Sequence, residues 1–124
     1  MFNITIKMLN KALQLAIESE DKKHKFCSII TDKRNRILSI GFNSFQKTHP
    51  IQQKFAKKCG CEEKMYLHSE VAAIIALDYN AKPYNIYIAR TNKSGNKGLL
   101  AKPCEICKKI IAKTSIKNIY YTGE

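Results

Sequence analysis

A chain of 124 residues with 44% apolar side chains, five glycines and three prolines has material for one hydrophobic core and too little for two. This composition excludes a disordered chain, and the absence of a long apolar run or a basic, apolar, small-residue leader pattern argues against membrane-spanning and secreted classes. The formal charge of +12 favours an anionic partner, yet nineteen of the 22 basic residues are lysine and only Arg34, Arg36 and Arg90 offer a planar fork for phosphate, so charge does not separate a nucleotide from a polymer.

Residues 5–19 place Met8, Leu9, Ala12, Leu13, Ala16 and Ile17 at spacings of three and four behind a Thr5 cap, which predicts an amphipathic helix. Residues 26–31 and 36–42 are β-leaning runs around the polar stretch Asp32-Lys33-Arg34-Asn35 and predict an antiparallel hairpin. Residues 43–66 have no clean period and read as a long loop. From His68 to Tyr79 the sequence is apolar and helix-favouring, which predicts a largely buried helix with His68 and Glu70 in its first turn. Residues 84–89 are the clearest strand, residues 92–98 a hairpin tip, residues 104–113 a helix opened by Pro103, and residues 116–122 a last strand. The helix between the last two strands predicts parallel neighbours, and the order of elements is α/β. No repeat or linker interrupts it, so residues 1–124 are read as one cytoplasmic domain.

The chemistry gathers at two helix starts. His68-Ser69-Glu70 and Pro103-Cys104-Glu105-Ile106-Cys107 form an H-x-E and a P-C-x-x-C, the signature of zinc nucleobase deaminases. Catalytic zinc takes three protein ligands and keeps its fourth position for water, and one imidazole with two thiolates meets that count. Thiols in the first turn of a helix sit at the positive end of its dipole, where the thiolate is favoured. Glu70, two residues beyond His68, is placed to accept the water proton and pass it to the ring nitrogen beside the attacked carbon. The five cysteines are an odd number, and in a reducing compartment the C-x-x-C points to metal, not a disulfide.

On these residues the chain resembles the cytidine deaminase-like superfamily, on the side holding deoxycytidylate deaminases, tRNA adenosine deaminases and APOBEC proteins, which use His where free-cytidine deaminases use a third Cys. The resemblance spans about residues 5–122 and implies a three-layer α/β/α cytidine deaminase-like fold with a mixed central sheet, Zn2+ as cofactor and a homo-oligomer. It also implies roles in substrate binding. Ile37 to Asn43 looks like the family's second strand ending in G-x-N, which assigns Asn43 to the sugar or base. The backbone around Ser69 and the carbonyl of Pro103 would hold the edge of the base.

Three features depart from the family pattern: Ser69 stands where Ala is common, 32 residues separate Glu70 from Pro103 and include the tip at 92–98, and the chain ends after Tyr120 and Tyr121. The expected activity is hydrolytic deamination of cytosine in a small nucleotide such as deoxycytidylate. The alternatives are a deaminase of single-stranded DNA or RNA and a non-catalytic zinc-stabilised binding module. Weaker candidates are a second metal site of Cys59 and Cys61 with His49 and Cys27, and an anion-attracting run of Lys54, Lys57, Lys58 and Lys64. His24 reads as a solvated surface residue.

Overall fold

The structure, a computed structural model, describes residues 2–19, 25–44, 50, 54, 57, 68–92, 94 and 97–123. Its elements in chain order are α1 (Phe2–Ala16), β1 (Lys25–Thr31), β2 (Ile37–Phe42), α2 (Ser69–Ile75), β3 (Asn85–Thr91), β4 (Gly98–Leu99), α3 (Glu105–Ile111) and β5 (Asn118–Tyr121). The strands make one sheet in which β1 lies between β2 and β3, both antiparallel to it. β1 occupies the whole of one edge of β3, from Thr31 opposite Asn85 to Lys25 opposite Thr91. The other edge is shared. β5 runs parallel to Asn85–Ile88, and β4 pairs antiparallel with Arg90 and Thr91. The sheet is therefore mixed, as expected.

Side chains alternate across a strand, so β1 and β3 serve two cores at once. Cys27 and Ile29 of β1 and Tyr87 and Ala89 of β3 pack under Ala12 and Ala16 of α1. Ile30, Ile86 and Ile88 point the other way, towards Ala73 of α2 and Ile111 of α3. A strand buried on both faces reads as an almost unbroken apolar run, which is why residues 84–89 are the clearest strand in the sequence. On the far side α2 and α3 pack against each other through Val71, Ile106 and Ile110. That contact draws their N-termini together.

Several boundaries move. α1 begins at Phe2 and closes at Ala16, so Thr5 lies inside the helix and does not cap it. α2 stops at Ile75 and not at Tyr79, because the Leu77 amide bonds Ile74 O at 3.2 Å, a tightened last turn, and a turn at Asp78 to Ala81 follows. The Asp32–Asn35 turn is held by the Asp32 carboxylate, which accepts from the amides of Arg34 at 2.9 Å and Arg36 at 3.0 Å while Asn35 takes a left-handed φ of 62°. The loop at 43–66 lies mostly outside the described residues, as do His24, His49, Cys59, Cys61, Lys58 and Lys64. Lys54 and Lys57 are exposed.

Candidate active site

The site forms where α2 and α3 begin. His68 is the N-cap of α2 with extended backbone (φ −86°, ψ 156°), and Cys104 is the N-cap of α3 (φ −75°, ψ 173°). Neither side chain makes a capping hydrogen bond, the usual task at that position. They turn to a common centre. His68 Nδ1 lies 3.3 Å from Cys107 Sγ and 3.7 Å from Cys104 Sγ, and the three donor atoms fall within 4.8 Å of one another. Tetrahedral zinc with bonds of about 2.0 Å to nitrogen and 2.3 Å to sulfur needs nitrogen–sulfur edges of about 3.5 Å. The observed pair brackets that value, so these residues fit the ion.

Their electrostatics agree. The hydrogen bond from Cys107, aided by His68, holds the Cys104 thiol down to about 3 against the opposing effect of burial. Cys107 is pushed up, first by its hydrogen bond to Cys104, then by burial and by the charge of Glu70. One thiolate is already stable without a metal, and a cation at the centre would favour the second.

Glu70 is 5% exposed in the first turn of α2. Burial raises its pKa above the usual carboxylate range, opposed by its own backbone amide, by His68 and by Ser69. Ser69 Oγ lies 3.0 Å from Glu70 Oε1 as donor and 2.8 Å from Ser28 Oγ of β1. The serine that departs from the family pattern thus holds the carboxylate, through a hydroxyl pair that ties α2 to the sheet. Ser28 escaped the sequence reading because its link to Ser69 spans 41 positions.

β2 makes room for this turn. Its residues facing α2 are Ser39, which donates to Ala73 O at 2.7 Å, and Gly41. A Cβ at Gly41 would sit 2.5 Å from Ser69 O and closer still to the Ala73 amide, both backbone atoms. Pro103 is buried beside Cys104. Asn43 follows β2, and its Oδ1 accepts from the Phe26 amide at 3.0 Å and from Ser19 Oγ at 2.6 Å. The side-chain carbonyl of Asn43 thus ties the end of β2 to β1 and to Ser19. Cys27 is fully buried under α1 in an apolar cluster, on the opposite face of the sheet from His68.

The profile of the cytidine and deoxycytidylate deaminase zinc-binding region matches residues 3–123. The chain belongs to this family. It is accordingly a zinc-dependent hydrolase acting on C–N bonds, with His68, Cys104 and Cys107 positioned to hold the metal. No curated protein matches the chain. Among solved structures, the apo dCMP deaminase of cyanophage S-TIM5 is 21% identical with a TM-score of 0.66, over 98% of this chain and 84% of that one. The same phage enzyme in complex with dCMP and dUMP is 19% identical with a TM-score of 0.64, over 96% of this chain and 80% of that one. A cytidine deaminase from Mycobacterium leprae is 13% identical with a TM-score of 0.58, over 90% of this chain and 83% of that one. This family's α/β/α architecture is the one described above. No helix among the described residues is long and apolar enough to cross a membrane.

Proposed function

We propose that this deaminase acts on cytosine in a small nucleotide of the deoxycytidylate class, converting it with water to the uracil product and ammonia. The observation that carries the reading is the buried Glu70 carboxyl set next to a three-ligand cluster built of His68, Cys104 and Cys107. A site that only stabilised the fold would gain nothing from an acid there, since burying a carboxyl costs free energy. When bound, zinc supplies a Lewis acid that brings the ionisation of water close to neutral pH.

The protein's own groups do the rest. Glu70 accepts a proton as the water oxygen bonds to C4 of the base and hands it to N3. A second proton carried by Glu70 lets the amine leave as ammonia, and the C4 carbonyl forms. Burial suits Glu70 to both tasks, because a raised pKa makes it a better base and keeps the acid form accessible. The backbone at Ser69 and Pro103 would hold the pyrimidine edge, and Asn43 would contact the sugar or base.

The dCMP and dUMP bound by the phage relative support this substrate class. The test is ammonia release by zinc-loaded protein offered dCMP, deoxycytidine, adenosine, guanine and single-stranded DNA in parallel. Turnover of dCMP well above deoxycytidine supports the reading, and turnover confined to the polymer overturns it.

A further inference from the structure

Ser28 is a polar residue on the apolar face of the sheet that carries α2. Its cross-strand neighbours are Gly41 of β2 and Ile88 of β3, and the residues of β1 on the same face are Phe26 and Ile30. Ile30 and Ile88 are fully buried in the layer beneath α2 and α3. Ser28 is fully buried with them, so its hydroxyl has left water and needs a partner within the protein. Space does not account for a serine here. Gly41 already provides the hollow that receives the first turn of α2, and alanine at 28 would fill nearly the same volume with no polar group to satisfy. Fastening the helix does not account for it either, since Ser39 does so by donating to Ala73 O at 2.7 Å.

The proton count fixes the direction of the bond that Ser28 makes. A hydroxyl has one hydrogen to give and lone pairs with which to accept. Ser69 gives its hydrogen to Glu70 Oε1, 3.0 Å away. The 2.8 Å contact between Ser28 Oγ and Ser69 Oγ is therefore donated by Ser28. The relay has a single polarity, from β1 through Ser69 to the carboxyl, and donation into Ser69 strengthens the bond that Ser69 makes in turn. Ser69 and Glu70 are both buried, so bulk water does not compete for either bond. The same carboxyl reaches the ligand cluster through Cys107.

We propose that, given the proton-carrying role assigned to Glu70 under the proposed function, Ser28 is a positioning residue for the reaction: by donating to Ser69 it keeps the Ser69 hydrogen on Oε1 and leaves Oε2 to carry the proton between water and the base. An Oε1 that accepts from Ser69 keeps that bond whether Oε2 is bare or protonated, so the carboxyl gains and releases its proton without rearranging its support. Without Ser28 the Ser69 oxygen lacks a donor, and the acid proton of Glu70, within hydrogen-bond reach, takes that place. Ser69 then changes from donor to acceptor, and the proton is drawn away from the base while the surfaces that bind substrate keep their shape.

The test is a double-mutant cycle on the full-length, zinc-loaded protein: parent, Ser28→Ala, Ser69→Ala and the double variant, with Glu70→Gln as reference. For each, kcat and KM are measured with dCMP, or with whichever member of the substrate panel the parent deaminates, together with zinc per chain and melting temperature. Ser28→Ala is expected to lower kcat at least about fivefold, the worth of one hydrogen bond, with KM and zinc content as in the parent. Added to Ser69→Ala it is expected to lower kcat no further, because the relay through which it acts is already cut. A Ser28→Ala protein with the parent's kcat would overturn the proposal, as would a raised KM at unchanged kcat. A loss as large in the Ser69→Ala background as in the parent would also overturn it, making Ser28 a packing residue only. Turnover retained by Glu70→Gln would remove the role of Glu70 and that of Ser28 with it, whereas an inactive Glu70→Gln beside a fully active Ser28→Ala would remove the role of Ser28 alone.

Discussion

Replacing Gly41 by alanine tests how the sheet positions the catalytic turn. The new Cβ would lie 2.5 Å from Ser69 O and 2.8 Å from Ala73 Cα, where ordinary contact begins near 3.4 Å, so β2 and the first turns of α2 must separate by about 1 Å. Both partners are backbone, which no rotamer change can relieve. Overpacking of this kind costs about 3 kcal/mol. The same displacement moves Ser69 and Glu70, and misplacing a catalytic group by 1 Å lowers turnover on the order of a hundredfold. Gly98→Ala is the internal control, because its Cβ would meet the side chains of Leu13 at 3.5 Å and Thr122 at 3.8 Å, both ordinary contacts. Urea unfolding and kcat/KM of the two zinc-loaded variants would be compared with the parent. Gly41→Ala is expected to lose both stability and turnover while Gly98→Ala stays within about 0.5 kcal/mol. A Gly41→Ala protein as stable and active as the parent would refute the close-approach reasoning.

Three more outcomes follow from the site. The Ser69 hydrogen bond favours the Glu70 carboxylate, so Ser69→Ala raises the Glu70 pKa further and moves the acid limb of the kcat/KM profile to higher pH; a limb that is unmoved or displaced downward would contradict that role. Removing the metal with a chelator abolishes turnover and leaves Cys104, with its pKa near 3, as a thiolate that alkylating reagents modify rapidly; peptide mapping by mass spectrometry should show its protection when zinc is restored. Cys27 behaves in the opposite way. Burial pushes its thiol up to about 12, so the folded state keeps the proton; its contribution to stability is complete below the unfolded value of about 8.5 and is lost as pH rises towards 12. Cys27 should label only as the protein unfolds, followed as peptide modification against urea, and modification of the native protein at pH 8 would contradict its burial.

The three residues positioned to hold the metal were legible in the sequence because their spacing is local, His68 at the start of one helix and the C-x-x-C of Cys104 and Cys107 at the start of another. The hairpin of β1 with β2 and the parallel run of β3 and β5 were legible from the polar turn and from the intervening helix, whereas the antiparallel pairing of β1 with β3 was not, because no local signal links strands so far apart in the chain. Helix ends were less so. α1 extends back to Phe2 through residues with no cap signal, and α2 closes at Ile75 although good helix formers continue, because a tightened turn redirects the chain into β3. What the sequence hides is contact between distant segments. The Ser28–Ser69–Glu70 hydroxyl chain and the fit of Gly41 against α2 both need the folded sheet to become visible.

The most direct test of the proposed chemistry is a comparison of the zinc-loaded parent with Glu70→Gln, measuring ammonia released from dCMP together with bound zinc per chain. The account predicts that the variant folds and holds zinc as the parent does, since glutamine mimics the neutral form that burial favours, while turnover falls by at least about a thousandfold. Turnover retained in a zinc-loaded Glu70→Gln protein would contradict the role given to Glu70, and a zinc-loaded parent that leaves dCMP untouched would contradict the substrate assigned to it.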